Sequence, residues 1–144
     1  KNRRIYGEFY AKEMFRIYGR LIREWGVEVI IPIPLHRKKK RLRGYNQAEI
    51  IARNLGEIMD IPVDCKSVIR NRYTRPQKEL NDKERKKNLK QAFSITSQWA
   101  NYKNVLVIDD IYTTGSTIDT VTKELKSRGA RKVYFLTISI GQGY

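Results

Sequence analysis

The chain has 144 residues, 40% of them hydrophobic and 31% charged, enough for one compact domain with a real core but not for two. With 30 Lys and Arg against 15 Asp and Glu it carries a net charge of +15, which favours anionic partners, and no apolar run is long enough to span a bilayer. A single cysteine, Cys65, excludes an internal disulfide and a cysteine-built metal cluster, so a cytoplasmic protein without membrane insertion is expected.

Lys1 to Trp25 places Ile5, Phe9, Met14, Tyr18, Leu21 and Trp25 at near-helical spacing and stops at Gly26, predicting a helix whose aromatics pack into the core. The first residues read as charged helix and not as a signal peptide, and the abrupt start at Lys1 reads as that of a fragment whose upstream part has been removed. "VEVIIPI" (Val27–Ile33) predicts a strand. "LHRKKKRLRG" (Leu35–Gly44) then holds six basic residues and no acid. "NQAEIIARNLGEIMD" (Asn46–Asp60) predicts a helix with Ile50, Ile51, Leu55 and Ile58 on one side, and "VDCKSVI" (Val63–Ile69) a second strand. From Asn71 to Leu89 apolar periodicity all but vanishes, which predicts a long mobile loop or hairpin; Lys66–Lys90 holds ten basic residues against three acidic. Phe93–Ile95 reads as a short strand and Val105–Ile108 as a central one. A helix over Thr117–Ser127, stopping at Gly129, precedes a last strand over Lys132–Ile140. Strands alternating with helices predict an α/β fold, a parallel sheet flanked by helices. Residues 1–26 are expected to pack as a helix on a main domain over 27–144.

The informative stretch is "VLVIDDIYTTGST" (Val105–Thr117). An apolar strand carries Asp109 and Asp110 to its carboxyl end, where ligands of open α/β sheets bind. Thr113, Thr114, Gly115, Ser116 and Thr117 then bring small side chains and closely spaced amides to the start of a helix, a ready anion site. Two carboxylates cannot share a phosphate, but they accept hydrogen bonds from hydroxyls or hold a divalent cation. A phosphate beside vicinal hydroxyls describes a ribose 5-phosphate. The plainer alternative is an acidic strand end followed by an ordinary helix cap from Ser116 or Thr117. A nucleoside-triphosphate loop is set aside because no Lys follows Gly115.

This stretch resembles the phosphoribosyl pyrophosphate (PRPP) motif of type I phosphoribosyltransferases. "PIPLHRKKKRLRGYNQAE" (Pro32–Glu49) and "TRPQKELNDKERKKNLKQAF" (Thr74–Phe93) resemble two further signatures of one branch, the ComF competence proteins. That resemblance implies a type I phosphoribosyltransferase fold, PRPP and Mg2+ as ligands, and a link to DNA uptake and transformation. It implies that Asp109 and Asp110 bind the ribose hydroxyls and form the catalytic pair, with contact to Mg2+ a further role for both. Thr113 to Thr117 would wrap the 5-phosphate. Leu35, His36 and Arg37 would meet the pyrophosphate, and a flexible loop with Gln77, Lys78 and Arg85 would close the site. His36, alone among charged neighbours, is read as a pyrophosphate-loop residue and not as a general base. Two departures accompany the match: the family's N-terminal zinc-binding cysteines are absent, and Tyr45 stands where Phe is common. A second function class stays open, a module that binds single-stranded DNA through Lys38, Lys39, Lys40, Arg41 and Arg43, working with proteins of the DNA-uptake machinery.

Overall fold

The computed structural model describes residues 2–35, 41–42, 44–71, 81–84, 92–112 and 115–140. In chain order the elements are α1 (Asn2–Glu24), β1 (Val29–Pro32), α2 (Gln47–Met59), β2 (Val68–Arg70), β3 (Phe93–Ile95), β4 (Asn104–Tyr112), α3 (Ser116–Ser127) and β5 (Lys132–Ile140). β1, β4 and β5 form a parallel sheet in that spatial order, with Val29 opposite Val105 and Val105 opposite Val133. Both faces of this sheet are covered, which is why its strands read as unbroken apolar runs. Val29, Ile31, Val105 and Val107 pack with α3 and the β2–β3 pair, while Ile30, Leu106 and Ile108 pack with α1 and α2. The expected α/β architecture is the one found.

Three expectations need correction. α1 forms over the predicted span, but the predicted stripe is not its buried face. Ala11, Met14 and Ile22 are buried, whereas Ile5 is 65% exposed and Phe9 55% exposed; Tyr6, Tyr10, Ile17, Tyr18 and Leu21 are exposed as well. The reason is close approach. A Cβ on Gly7 would lie 2.2 Å from Ile50 Cγ2, so α1 and α2 meet through small residues that carry no hydrophobic signal. Of the old stripe, Met14 is in the core and Trp25 is half-buried, stacked on Tyr134 at 4.2 Å between ring centroids.

Next, α2 buries Ala48, Ile51, Ala52, Leu55 and Met59, and leaves Ile58 exposed. Asn46 caps it by accepting from Ala48 N (3.1 Å), and its amide donates to Ile33 O (3.0 Å). One buried side chain thus ties the turn after β1 to the start of α2.

Finally, the predicted strand Val63–Ile69 is two pieces. Val63 makes a single parallel bridge to Ile30 of the main sheet. The Asp64 carboxylate then accepts from Lys66 N and Ser67 N (2.9 Å each) and from the Ser67 hydroxyl, which bends the chain away. Val68–Arg70 resumes as β2, antiparallel to β3, in a second sheet. A short polar side chain at one position redirects the strand.

Candidate functional site

β4 runs past the four residues that predicted it, through Asp109 and Asp110 to Tyr112, with Asp109 opposite Thr137 and Ile111 opposite Ser139 of β5. Asp109 is therefore held in the sheet ladder and Asp110 follows it inside the strand, not at the strand end as expected. Both are half-buried. Asp109 Oδ1 accepts from the Asp110 backbone N–H (2.9 Å). Burial, followed by the hydrogen bond and charge of the Asp110 carboxyl, pushes Asp109 up to about 7, against the pull of that backbone N–H and of the Arg70 guanidinium.

That shift has a sign for stability. Asp109 binds its proton more tightly folded than unfolded, so its contribution is fully present below its ordinary value of 3.8 and is lost as pH rises through about 7. Asp109→Asn, which has no charge to desolvate, should match the parent's melting temperature near pH 4. It should exceed the parent by a few degrees at pH 8, with the gap opening between those values. Thermal unfolding across this range checks it; a gap that shrinks with pH would contradict the assignment.

Past Tyr112, α3 begins at Ser116 with Gly115 as its N-cap, at φ 80° and ψ −9°, and with no side-chain hydrogen bond to the cap. The cap position is thus not the Ser or Thr of an ordinary cap: a left-handed glycine opens the helix and brings no side-chain acceptor of its own to the first amides. Thr117 is half-buried in the first turn. Thr113 and Thr114 lie outside the described residues, and of Ser116 only the backbone is described.

On the β1 side, Pro34 and Leu35 line a cavity of about 510 Å³ with Asn46, Glu49, Cys65 and Arg70. Burial pushes the Cys65 thiol up to about 11, so it stays protonated and inert at neutral pH. Leu35 is half-buried, and Arg41 is exposed in a helical turn. His36, Arg37, Lys38, Lys39, Lys40, Arg43, Gln77, Lys78 and Arg85 lie outside the described residues. So does most of the expected lid, of which Asn71 and residues 81–84 are described, the latter a helical turn in which Asn81 Oδ1 accepts from Glu84 N (2.8 Å).

Two residues escaped the sequence reading. Asn46 stands in a quoted signature, but its anchoring role needs Ile33 beside it in space. Arg70 follows directly on the predicted strand, and a strand ending in a lone Arg among many basic neighbours carries no signal. Among the described residues, no three of His, Cys, Asp and Glu gather as a metal cage. Paired carboxylates suit a Mg2+ that brings further oxygen ligands on a diphosphate and water, and do not suit one held by protein alone.

Residues 42–139 match the family model of the phosphoribosyl transferase domain. The chain is 38% identical over 108 residues to Competence protein F of Haemophilus influenzae, covering 74% of this chain and 47% of that protein. It is 32% identical over 104 residues to DNA utilization protein YhgH of Escherichia coli, covering 72% and 45%. It thus spans just under half the length of these relatives. Among solved structures, the purine phosphoribosyltransferase from Pyrococcus horikoshii shares its fold with a TM-score of 0.58 at 20% identity, covering 92% of this chain and 73% of that one.

Proposed function

Because the chain belongs to the phosphoribosyl transferase domain family, in the branch of the ComF competence proteins, we propose that it binds PRPP along the carboxyl edge of its parallel sheet and transfers the phosphoribosyl group to an acceptor. One observation carries this reading: the half-buried Asp109–Asp110 pair on β4 leads directly into a helix opened by a left-handed glycine. The carboxylates accept from the ribose 2- and 3-hydroxyls. The first amides of α3, with Thr113, Thr114, Ser116 and Thr117, take the 5-phosphate. Leu35, His36 and Arg37 meet the pyrophosphate, and the segment with Gln77, Lys78 and Arg85 closes over it.

In the transfer the bond from C1 of ribose to the pyrophosphate oxygen breaks, its electron pair leaves with pyrophosphate, and the acceptor's lone pair forms the new bond. Positive charge grows on the ribose, where the acids stabilise it, and negative charge grows on the leaving group, where the basic turn does. When bound, Mg2+ supplies charge neutralisation on the diphosphate. This reading puts the protein in the cytoplasm, with its PRPP. Among the described residues no helix is long and apolar enough to cross a membrane. Calorimetric titration with PRPP and with ribose 5-phosphate, with and without Mg2+, tests the binding; pyrophosphate release against a panel of nucleobases tests the transfer. A protein that binds neither ligand ends the proposal.

A second reading has its own observation. α1 leaves Tyr6, Phe9 and Tyr10 exposed together with Arg20 and with Arg16, which Glu13 holds at 2.9 Å, and exposed aromatics beside cations are the kind of surface on which single-stranded bases stack. Together with Lys38, Lys39, Lys40, Arg41 and Arg43, it suits single-stranded DNA handled with the DNA-uptake machinery. Affinity for oligonucleotides should then fall with salt, at a log–log slope of about −0.7 per phosphate neutralised. Replacing Lys39, Lys40 and Arg41 by alanine should flatten that slope and leave PRPP binding unchanged. Tight, salt-resistant binding would rule this reading out.

A further inference from the structure

β5 ends the parallel sheet, and its backbone shows which way it is open. Lys132 N donates to Lys103 O at 3.0 Å, so Lys132 turns toward β4. In a parallel ladder each residue turns its N–H and C=O to the same side, and the side alternates along the strand. Lys132, Tyr134, Leu136, Ile138 and Ile140 therefore serve β4, and Val133, Phe135, Thr137 and Ser139 turn outward. The opposite edge obeys the same rule and is occupied: Ile30, turned away from β4, donates to Pro62 O and accepts from Asp64 N, both at 2.9 Å. Among the described residues β5 has no such neighbour, and the outward N–H and C=O groups lie unpaired along it.

Proteins protect an edge of this kind with charges, proline, a bulge, shortness or a covering element. β5 runs nine residues, "KVYFLTISI", with no Pro or Gly and with its only charge at the first position. Nor is it sealed from its faces. Val105–Ile108 of β4 are 0% exposed, whereas Val133, Tyr134, Phe135, Thr137 and Ile138 are half-buried. The helices that close over β4 stop short of the outer flank of β5.

We propose that a second copy of the chain fills this edge, β5 pairing antiparallel with β5 across a two-fold axis at Leu136. Three features favour the copy over an unrelated strand. Leu136 is the midpoint of Lys132–Ile140, so pairing about it overlaps the whole strand. In that register Val133 stands opposite Ser139 of the other copy and Phe135 opposite Thr137, and each such pair exchanges two hydrogen bonds. Every open group on both edges is then used. The register also sets Phe135 beside Thr137 on one face and Tyr134 beside Ile138 on the other, aromatic against β-branched, a favourable cross-strand combination. Charge matches as well. Antiparallel pairing lays the basic start of one strand, Arg131 and Lys132, along the end of the other, where Asp109 and Asp110 lie one strand further in.

Sedimentation of the full chain tests this, after nuclease treatment and at about 0.5 M NaCl, where nucleic acid held by charge is released. The mass should rise from one 17.0 kDa chain to two as concentration goes from about 1 to 100 μM. Thr137→Pro removes an outward N–H and leaves the bonds to β4. It should weaken pairing by about 10- to 100-fold, since the two-fold axis counts each lost bond twice. Should that variant fail to fold, Thr137→Lys, which puts a charge beside Phe135 of the other copy, should also weaken pairing. Leu136→Cys reads the register: residue 136 of each copy faces its counterpart at the ~4.5 Å Cα separation of a non-hydrogen-bonded pair, and should cross-link on mild oxidation. Tyr134→Cys, opposite Ile138, should stay at the background set by the parent, which keeps Cys65. A parent that remains at the mass of one chain leaves the edge to a strand of another protein, or to none, and overturns the proposal. A dimer that persists in both Thr137 variants uses another surface, such as the exposed aromatics of α1, and overturns it too. No contrast between the two cysteine variants overturns the axis at Leu136.

Discussion

Asp109→Asn combined with Asp110→Asn is expected to weaken PRPP binding by about two to three orders of magnitude while the protein stays folded. A hydrogen bond to a charged acceptor contributes about 1.5–3 kcal/mol, so two ribose hydroxyls moved from carboxylates to neutral amides lose about 3–4 kcal/mol after allowance for the weaker bonds the amides keep and for coupling between neighbours. The fold has reason to survive. Asparagine keeps the volume and leaves an oxygen for the Asp110 N–H, which Asp109 Oδ1 accepts at 2.9 Å. It also removes the burial penalty that pushes Asp109 up to about 7. Ribose 5-phosphate shares the hydroxyls and should lose as much as PRPP, whereas inorganic pyrophosphate should bind as before. Calorimetry on the three ligands, beside a melting curve, measures all of this. A double variant that keeps parental PRPP affinity removes Asp109 and Asp110 from the ribose site.

The parts that could be read from the residues are those whose signal is local. Val105–Ile108 is apolar throughout because both faces of β4 are covered, and a run of that kind before two acids and a small-residue loop marks a strand edge built for a ligand. Gly115 stood out for the same reason, since a backbone at φ 80° suits almost no other residue. What escaped depends on pairs that meet only in space. The packed face of α1 centres on Gly7 and Ala11, which have little hydrophobicity to detect, while the large side chains that set the apparent period stand outside. The break at Asp64 turns on one carboxylate gathering two backbone amides and a hydroxyl, in a stretch whose composition is that of an ordinary strand. Arg70 is one of many cations in its segment, and only burial against Phe93 sets it apart.

Gly56→Ala should be among the most damaging small substitutions in the chain, although it sits inside a helix where alanine is normally preferred by about 1 kcal/mol. A Cβ at Gly56 would lie 2.4 Å from Val63 Cγ2 and 2.7 Å from the carbonyl oxygen of Ile61. A valine side chain can rotate away, but the Ile61 carbonyl is backbone. Its residue is fixed by Ile61 N donating to Gly56 O at 2.9 Å, and it leads straight into the Val63 bridge to β1, where Pro62 O accepts from Ile30 N and Asp64 N donates to Ile30 O, both at 2.9 Å. Relief therefore means shifting the end of α2 or pulling Val63 off β1. We expect a loss of roughly 2–4 kcal/mol, a fall of about 6–12 °C in melting temperature for a domain of this size. Gly7→Ala is the control. Its Cβ meets only Ile50, at 2.2 Å from Cγ2 and 3.2 Å from Cβ, with backbone no nearer than 3.8 Å, so a rotamer change and a small helix shift relieve it at about 1 kcal/mol. Adding Val63→Ala to Gly56→Ala should recover little, because the backbone oxygen remains. Full recovery in that double variant would show that the Val63 side chain alone sets the limit and that the junction of α2 and β1 is not rigid.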